Sequence, residues 1–238
     1  MTEKSAHSHH ISQQFNADLD DIKTRMLEMG GLVEKQVADA TNAFMNLDTG
    51  LASDVKQGDN LVNSLEVAID EECTIILARR HPAASDLRLV LSISKILSDL
   101  ERMGDEASKV AESAIRLTEL GGLPRSVLEI RHIGDHVSGM VRNALDAFAR
   151  LDIDLALAVA EEDKAVDLEY GTAMRSLVTY MIEDPRTISS VLQVMWALRS
   201  LERVGDHARN IAEHVIYLVK GANVRHVDID EMAATVQE

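Results

Sequence analysis

Aromatic side chains make up only 3% of this 238-residue chain, which also has just three prolines and a single cysteine. A β-sandwich or barrel needs many turns and draws on aromatic strand residues, so this poverty argues against an all-β fold. Cys73 alone cannot close an internal disulfide, and no secretory signal opens the sequence, so a reducing cytoplasm is the expected compartment. No apolar run approaches the ~20 residues a membrane helix needs, and any membrane role is expected to pass through a partner. Basic residues are outnumbered, 24 against 40, for a formal net charge of −16. That balance repels nucleic-acid backbones and anionic lipid surfaces, which speaks against both as non-specific partners. What the chain does have is 46% hydrophobic residues, rich in the Leu, Ile, Val, Ala and Met from which helical cores are packed.

The few prolines act as punctuation. Pro82, Pro124 and Pro185 fall where the apolar periodicity resets, and each would cost a helix interior ~3 kcal/mol. Gly121-Gly122 reads as a helix stop, and further breaks sit at Asp48-Thr49-Gly50 and at 151–154. Asp86 and Thr187 are candidate N-caps. Six helices are predicted, at 16–47, 52–80, 86–120, 124–150, 154–182 and 187–220. Residues 1–14, with His7, His9 and His10, read as a polar N-terminal tail, and 223–238 as a polar C-terminal one.

The chain also repeats itself. Phe44, Leu47, Asp48, Leu51 and Ala52 recur 104 residues later as Phe148, Leu151, Asp152, Leu155 and Ala156. Leu100-Glu101-Arg102-Met103-Gly104-Asp105 recurs 101 residues later as Leu201-Glu202-Arg203-Val204-Gly205-Asp206. The expected fold is therefore all-α, two tandem pseudo-symmetric three-helix bundles at 15–121 and 122–222, with short connections favouring antiparallel neighbours.

The repeated motif carries paired acids. Glu101 and Asp105, and Glu202 and Asp206, stand four residues apart, so each pair stacks on one helix face away from the apolar stripe. Helix two offers Asp59, Asn63, Glu66 and Asp70 on one face, and helix five offers Asp163 and Asp167. A hairpin centred near residue 84 sets Glu101 level with about residue 67 and Asp105 with about 63. Around Pro185, Glu202 and Asp206 fall level with about 169 and 165. Stacked like charges repel. A cation bridging their oxygens would relieve that, and an acidic solvated face is the alternative. Oxygen ligands leave the metal open among Mg, Mn and Fe.

Other candidates are read more plainly. His132 and His136, with Glu129 completing a Glu-x-x-His, give only one of the two such motifs a di-iron site requires, and read as partly exposed helix histidines. Cys73 reads as core packing and Trp196 as packing between helices. No phosphate-cradling glycine loop or nucleophile elbow is present. A metal-dependent phosphohydrolase or other carboxylate-metal enzyme is the alternative to a non-enzymatic scaffold.

The segments 85–89 and 99–105, repeated in part at 199–206, together with 11–17, 68–71, 146–150 and 180–181, resemble the PhoU family over roughly residues 10–225. The resemblance implies two three-helix bundles that bind metal ions or clusters through paired Glu/Asp-x-x-x-Asp motifs, here Glu101 with Asp105 and Glu202 with Asp206. On the partner helices it extends to Glu66 and Asp70, and to Asp163 and Asp167. The halves do not align there: Asp163 and Asp167 correspond to Asp59 and Asn63, and Glu66 and Asp70 to Tyr170 and Met174. It implies divalent or iron-type ions (Fe, Mn, Mg or Zn) and a cytoplasmic homodimer that is not an enzyme. Such a regulator restrains phosphate uptake and phosphate-starvation signalling by linking the phosphate ABC transporter's ATPase subunit to a PhoR-type histidine kinase.

Overall fold

The computed structural model describes residues 2–80, 82, 84–122 and 128–237, and the side chains of 14–79, 82, 84–122 and 130–237. Seven helices follow in order among them: α1 (Thr2–Asn46), α2 (Thr49–Arg80), α3 (Ala84–Glu119), α4 (Leu128–Arg150), α5 (Ile153–Glu183), α6 (Ile188–Lys220) and α7 (Ile229–Gln237). Helices α1–α3 pack on one another, as do α4–α6, and the two bundles meet through α3 on α6 and α1 on α4. One continuous apolar core runs through both, with Phe44 and Phe148 fully buried at repeated positions.

The repeat is written into the turns. After α1 and after α4, Leu47 and Leu151 take left-handed φ values of 53° and 54°, an uncommon conformation for a bulky residue. Each time the next amide returns to the helix: Asp48 N–H to Ala43 O and Asp152 N–H to Ala147 O, both at 2.9 Å. This is the Schellman-type ending that satisfies orphan carbonyls. The same aspartates then cap the following helices, accepting from the amides of Leu51 (2.9 Å) and Leu155 (3.0 Å).

The bundle–bundle contact is symmetric as well. A Cβ on Gly30 would stand 2.5 Å from Leu145 Cδ2, and one on Gly134 would stand 2.4 Å from Thr41 Cγ2. Gly30 and Gly134 are 104 residues apart, and so are Thr41 and Leu145. The halves therefore meet through the same patch twice, as in a two-fold interface.

Several sequence expectations shift. Helix α1, expected from about residue 16, extends through the polar 1–14 stretch and is helical from Thr2, since no proline or glycine interrupts it before Gly30. His7, His9 and His10 lie outside the described side chains. The 223–238 tail holds α7, whose Ile229, Met232 and Val236 are buried at helical spacing against α5 and α6. Asp228 caps it by accepting from the Glu231 amide at 2.9 Å. Asp86 sits in the first turn of α3, which begins at Ala84. Thr187 makes no side-chain cap. Asp184 starts a short 3₁₀ turn, Pro185–Thr187, by accepting from the Arg186 amide, and α6 follows it. Pro124 and the expected start of helix four lie outside the described residues.

Candidate functional site

On α3, Glu101 and Asp105 face α2. Opposite them, Asp59 has its carboxyl pushed above the usual range, first by burial and then by the charge of Asp105. Glu101 is raised too, by burial and then by Asp105, Glu66 and Asp59. Asn63 donates to Asp59 Oδ2 at 3.4 Å. Asp59 Oδ1 is buried with no hydrogen-bond partner, as are Asn63 Oδ1 and Gln36 Oε1. The motif glycine makes room for this approach: a Cβ on Gly104 would lie 2.8 Å from Asp59 Oδ1 and 3.3 Å from Gln36 Oε1.

The register differs from that of a hairpin centred near residue 84. The turn between α2 and α3 is centred on Pro82, two residues earlier, which moves the facing position by four residues, about one helical turn. Asp59 thus meets Asp105 and Glu66 stays within reach of Glu101, whereas Asp70 moves past the cluster and accepts a hydrogen bond from Ser94 Oγ at 2.5 Å. Sequence reasoning placed Asp59 on the right face but left it out of the candidate set. The signal was available, because Asp59 is the repeat equivalent of Asp163.

The second cluster gathers all four residues expected of it. Burial lifts Glu202 to about 7, with Asp206, Asp167 and Asp163 adding to the rise and Arg199 opposing it. Asp206 is also raised, by desolvation among the helices and then by Asp163 and Asp167. Asp163 and Glu202 are buried, while Asp167 and Asp206 stand at the solvent edge. Two guanidiniums serve this cluster. Arg199 Nη1 donates to Glu202 Oε1, and Arg209 donates to Asp163 Oδ2 at 3.1 Å and to Glu213 Oε1 at 3.2 Å. Glu202 Oε2 is left buried without a partner.

A third polar group, absent from the sequence reading, closes the seam between α3 and α6. Asp99 accepts from Asn210 Nδ2 (3.0 Å) and faces His207 Nδ1 (2.9 Å) and His214 Nε2 (3.6 Å). Burial raises its carboxyl, but these three neighbours outweigh that and hold it down at about 2. Further along, buried Glu106 pairs with Arg203 at 2.7 Å and Lys109 at 3.0 Å. A periodicity argument sees Asp99 only as one more acid on an acidic helix; its partners lie 108 residues or more away.

His132 and His136 both approach Glu169 on α5, at 3.3 and 3.4 Å. Glu129, the partner suggested by sequence, lies outside the described side chains. Cys73 is buried, which pushes its thiol up to about 12 and leaves it inert. Trp196 does not pack between helices. It is 52% exposed over the α3–α6 seam, in a hollow shared with Lys109, Arg116 and Arg199, because no helix among the described residues covers that side of α6.

Both carboxylate clusters are chemically suited to a hard cation. They offer oxygen donors only, burial and then neighbouring acids raise Asp59 and Glu101 in the first and Glu202 and Asp206 in the second, and each contains a buried oxygen with no hydrogen-bond partner. Among the described residues, no three acidic, histidine or cysteine side chains already converge as one ligand set.

Comparison with known proteins matches this architecture half by half. The PhoU domain model covers residues 26–114 and again 130–215. Relatives described as phosphate-specific transport system accessory protein PhoU or its homologues include one from Pseudomonas putida, 62% identical across all of this chain and 93% of its own length. One from Escherichia coli is 49% identical over 94% of this chain and 92% of its own. The crystal structure of PhoU from Pseudomonas aeruginosa superposes with a TM-score of 0.86 at 65% identity, over 87% of this chain and all of that one. The PhoU described as a phosphate transport system regulatory protein from Streptococcus pneumoniae does so at 0.82 and 28%, over 88% of this chain and 99% of that one. A doubled three-helix bundle whose two motif pairs each face acids on the neighbouring helix, matched in both halves by one domain model, belongs to the PhoU family.

Proposed function

We propose that this chain is a cytoplasmic, homodimeric regulator that restrains phosphate uptake and phosphate-starvation signalling. It does so by linking the ATPase subunit of a phosphate ABC transporter to a PhoR-type histidine kinase. Family membership makes it an accessory protein of a phosphate transport system and a regulator rather than an enzyme. No helix among the described residues is long and apolar enough to cross a membrane, so contact with the transporter is made through protein surfaces.

The two clusters are proposed as metal sites: Asp59, Glu66, Glu101 and Asp105 in one, Asp163, Asp167, Glu202 and Asp206 in the other. Asp70, held by Ser94, stands outside the first. The carrying observation is the pair of orphaned oxygens, Asp59 Oδ1 and Glu202 Oε2, buried beside like charges. A bound divalent or iron-type ion would supply the positive charge these groups lack, drawing the carboxylates in by side-chain rotation. An all-oxygen donor set favours Mg, Mn or Fe over Zn. The chain's own residues set the site's position: Gly104 admits Asp59, and Arg199 and Arg209 fix Glu202 and Asp163.

Deletion in the native host tests the regulatory reading. Starvation genes are expected to switch on in phosphate-rich medium, and unchanged expression overturns it. Metal content of tag-free protein, with Glu101, Asp105, Glu202 and Asp206 replaced by amides, tests the ion sites separately. Content equal to that of the parent protein removes them from the proposal.

A further inference from the structure

Anions outnumber cations along the chain as a whole, yet one groove inverts that balance. It runs along the α3–α6 seam, encloses about 840 Å³ and is closed at one end by the segment joining α6 to α7. Five full cations line it, Lys95, Arg102, Arg203, Arg209 and Arg225, against three carboxylates, Asp99, Asp206 and Glu213.

Two of the three carboxylates are held by neighbours, and the third, Asp206, belongs to the acidic cluster with Asp163 and Asp167. Asp99 is held by His207, Asn210 and His214, and Glu213 by Arg209. Among the described residues, three cations have no carboxylate hydrogen-bonded to them. Lys95 Nζ lies 5.9 Å above the ring of Tyr217. Arg102 is exposed on α3 and acts on Glu101 only through space. Arg225 rests on Asn223, whose Oδ1 accepts from both its amide (3.2 Å) and its Nε (3.1 Å), leaving the rest of the guanidinium fork open.

The Arg225 segment is fixed in place. The chain turns at Gly221, whose φ is 73° and whose amide donates to Tyr217 O at 2.8 Å, and Val224 is buried at 2% exposure. Guanidinium forks held in position suit phosphate oxygens, which they bind in pairs. The groove is far larger than one phosphate and falls within the range of small-molecule sites.

We propose that this groove binds an oligophosphate-bearing small molecule, with Lys95, Arg102 and Arg225 as its principal contacts. The phosphate chain is the recognised feature, whether free or carried by a nucleoside.

The test titrates tripolyphosphate, a nucleoside triphosphate and orthophosphate into the full chain after its metals have been dialysed away, at physiological salt. Saturable binding of tripolyphosphate is expected, weakened by about tenfold or more in Lys95→Ala/Arg225→Ala, with helix content unchanged by circular dichroism. Equal affinity for the nucleotide identifies the phosphate chain as the whole determinant, and tighter nucleotide binding adds the nucleoside; either supports the proposal. No saturable binding of either compound overturns it. So does orthophosphate binding as tightly as tripolyphosphate, or an equal loss in Lys56→Ala, a cation remote from the groove. Capture of an acidic peptide with neither phosphate compound bound assigns the groove to a protein partner and also overturns it.

Discussion

Glu202 and Asp163 each have a guanidinium hydrogen-bonded to them, whereas Glu101 and Asp59, their counterparts in the first half, have none. The motif is the same and the surrounding helices are equivalent. The difference lies at two positions of the repeat: Arg199 and Arg209 in α6 correspond to Ser98 and Ser108 in α3, and Ser108 Oγ is itself buried without a partner. The second half therefore balances part of its buried negative charge internally, and its motif glutamate can sink into the protein. In the first half no guanidinium or ammonium is hydrogen-bonded to Asp59 or Glu101 among the described residues, so that cluster keeps its mutual repulsion. Duplicated frames need not carry duplicated electrostatics.

Removing the internal balance should have the largest effect. Arg209→Ala strips both Asp163 and Glu213 of their partner, and a buried carboxylate left alone is costly. Discounted for the partial exposure of Arg209, the loss is about 2 kcal/mol, read as a lower chemical-denaturation midpoint and partly restored by millimolar Mg or Mn. A variant as stable as the parent would show that the second half does not depend on its arginines.

The next effect is one of pH. Glu202 has a folded-state value of about 7, above its ordinary one, so the folded state holds the proton more tightly than the unfolded chain. Its contribution favours folding at low pH and is lost as pH rises from about 4.5 to 7. With the full shift discounted for solvent screening at the cluster's open edge, Glu202→Gln should be more stable than the parent above pH 7 by about 1–2 kcal/mol and no different near pH 4. A metal that binds there must displace the same proton, so saturating Mg or Mn should flatten the parent's slope. A slope identical in parent and variant would place the titration elsewhere. Asp99 behaves oppositely, being held at about 2; the stability it contributes is complete above pH 4 and fades as pH falls toward 2.

Ser108→Arg transplants the second half's solution into the first. The new guanidinium should neutralise Asp59, and the rise in melting temperature on adding divalent cation should shrink, with a gain in unliganded stability of about 1 kcal/mol or less. An undiminished cation response would separate Asp59 from the ion site. The smallest effect concerns the motif glycines. A Cβ at Gly104 meets Asp59 Oδ1 at 2.8 Å, whereas one at Gly205 meets nothing nearer than 3.7 Å. Gly104→Ala should therefore weaken ion uptake in the first half by displacing the Asp59 carboxylate, with little net change in stability. Gly205→Ala should leave ion uptake intact and gain up to about 1 kcal/mol from helix propensity. Equal ion affinity in the two variants would remove Gly104 from the site.

Much of this was legible in the chain. The breaks at Pro82 and Pro185 bound helices in the structure, and the Leu47-Asp48 and Leu151-Asp152 repeats turned out to be matching turns. Glu101, Asp105, Glu202 and Asp206 face acids on the adjacent helices, as their spacing implied. Asp70 was misplaced because a hairpin register depends on where the turn is centred, and an error of two residues there carries the facing position a full helical turn. Helix α7 was missed because its apolar residues, Ile229, Met232 and Val236, are few and sit among acids, although Asp228 and their spacing signalled it. Trp196 was misjudged because residue type says what a side chain tends to do, while the layout of neighbouring helices decides whether anything is there to cover it.

Local chemistry settled the six long helices, most of the breaks between them and the duplicated acidic motif, because hydrophobic period and turn residues act over a few residues and can be read in order along the chain. Only the tertiary structure decided that Asp59 faces Asp105, that Asp99 is held by residues of the other bundle and that five cations gather along one seam. Those pairings join residues dozens to more than a hundred positions apart, and the packing of α3 against α2 and α6 sets them.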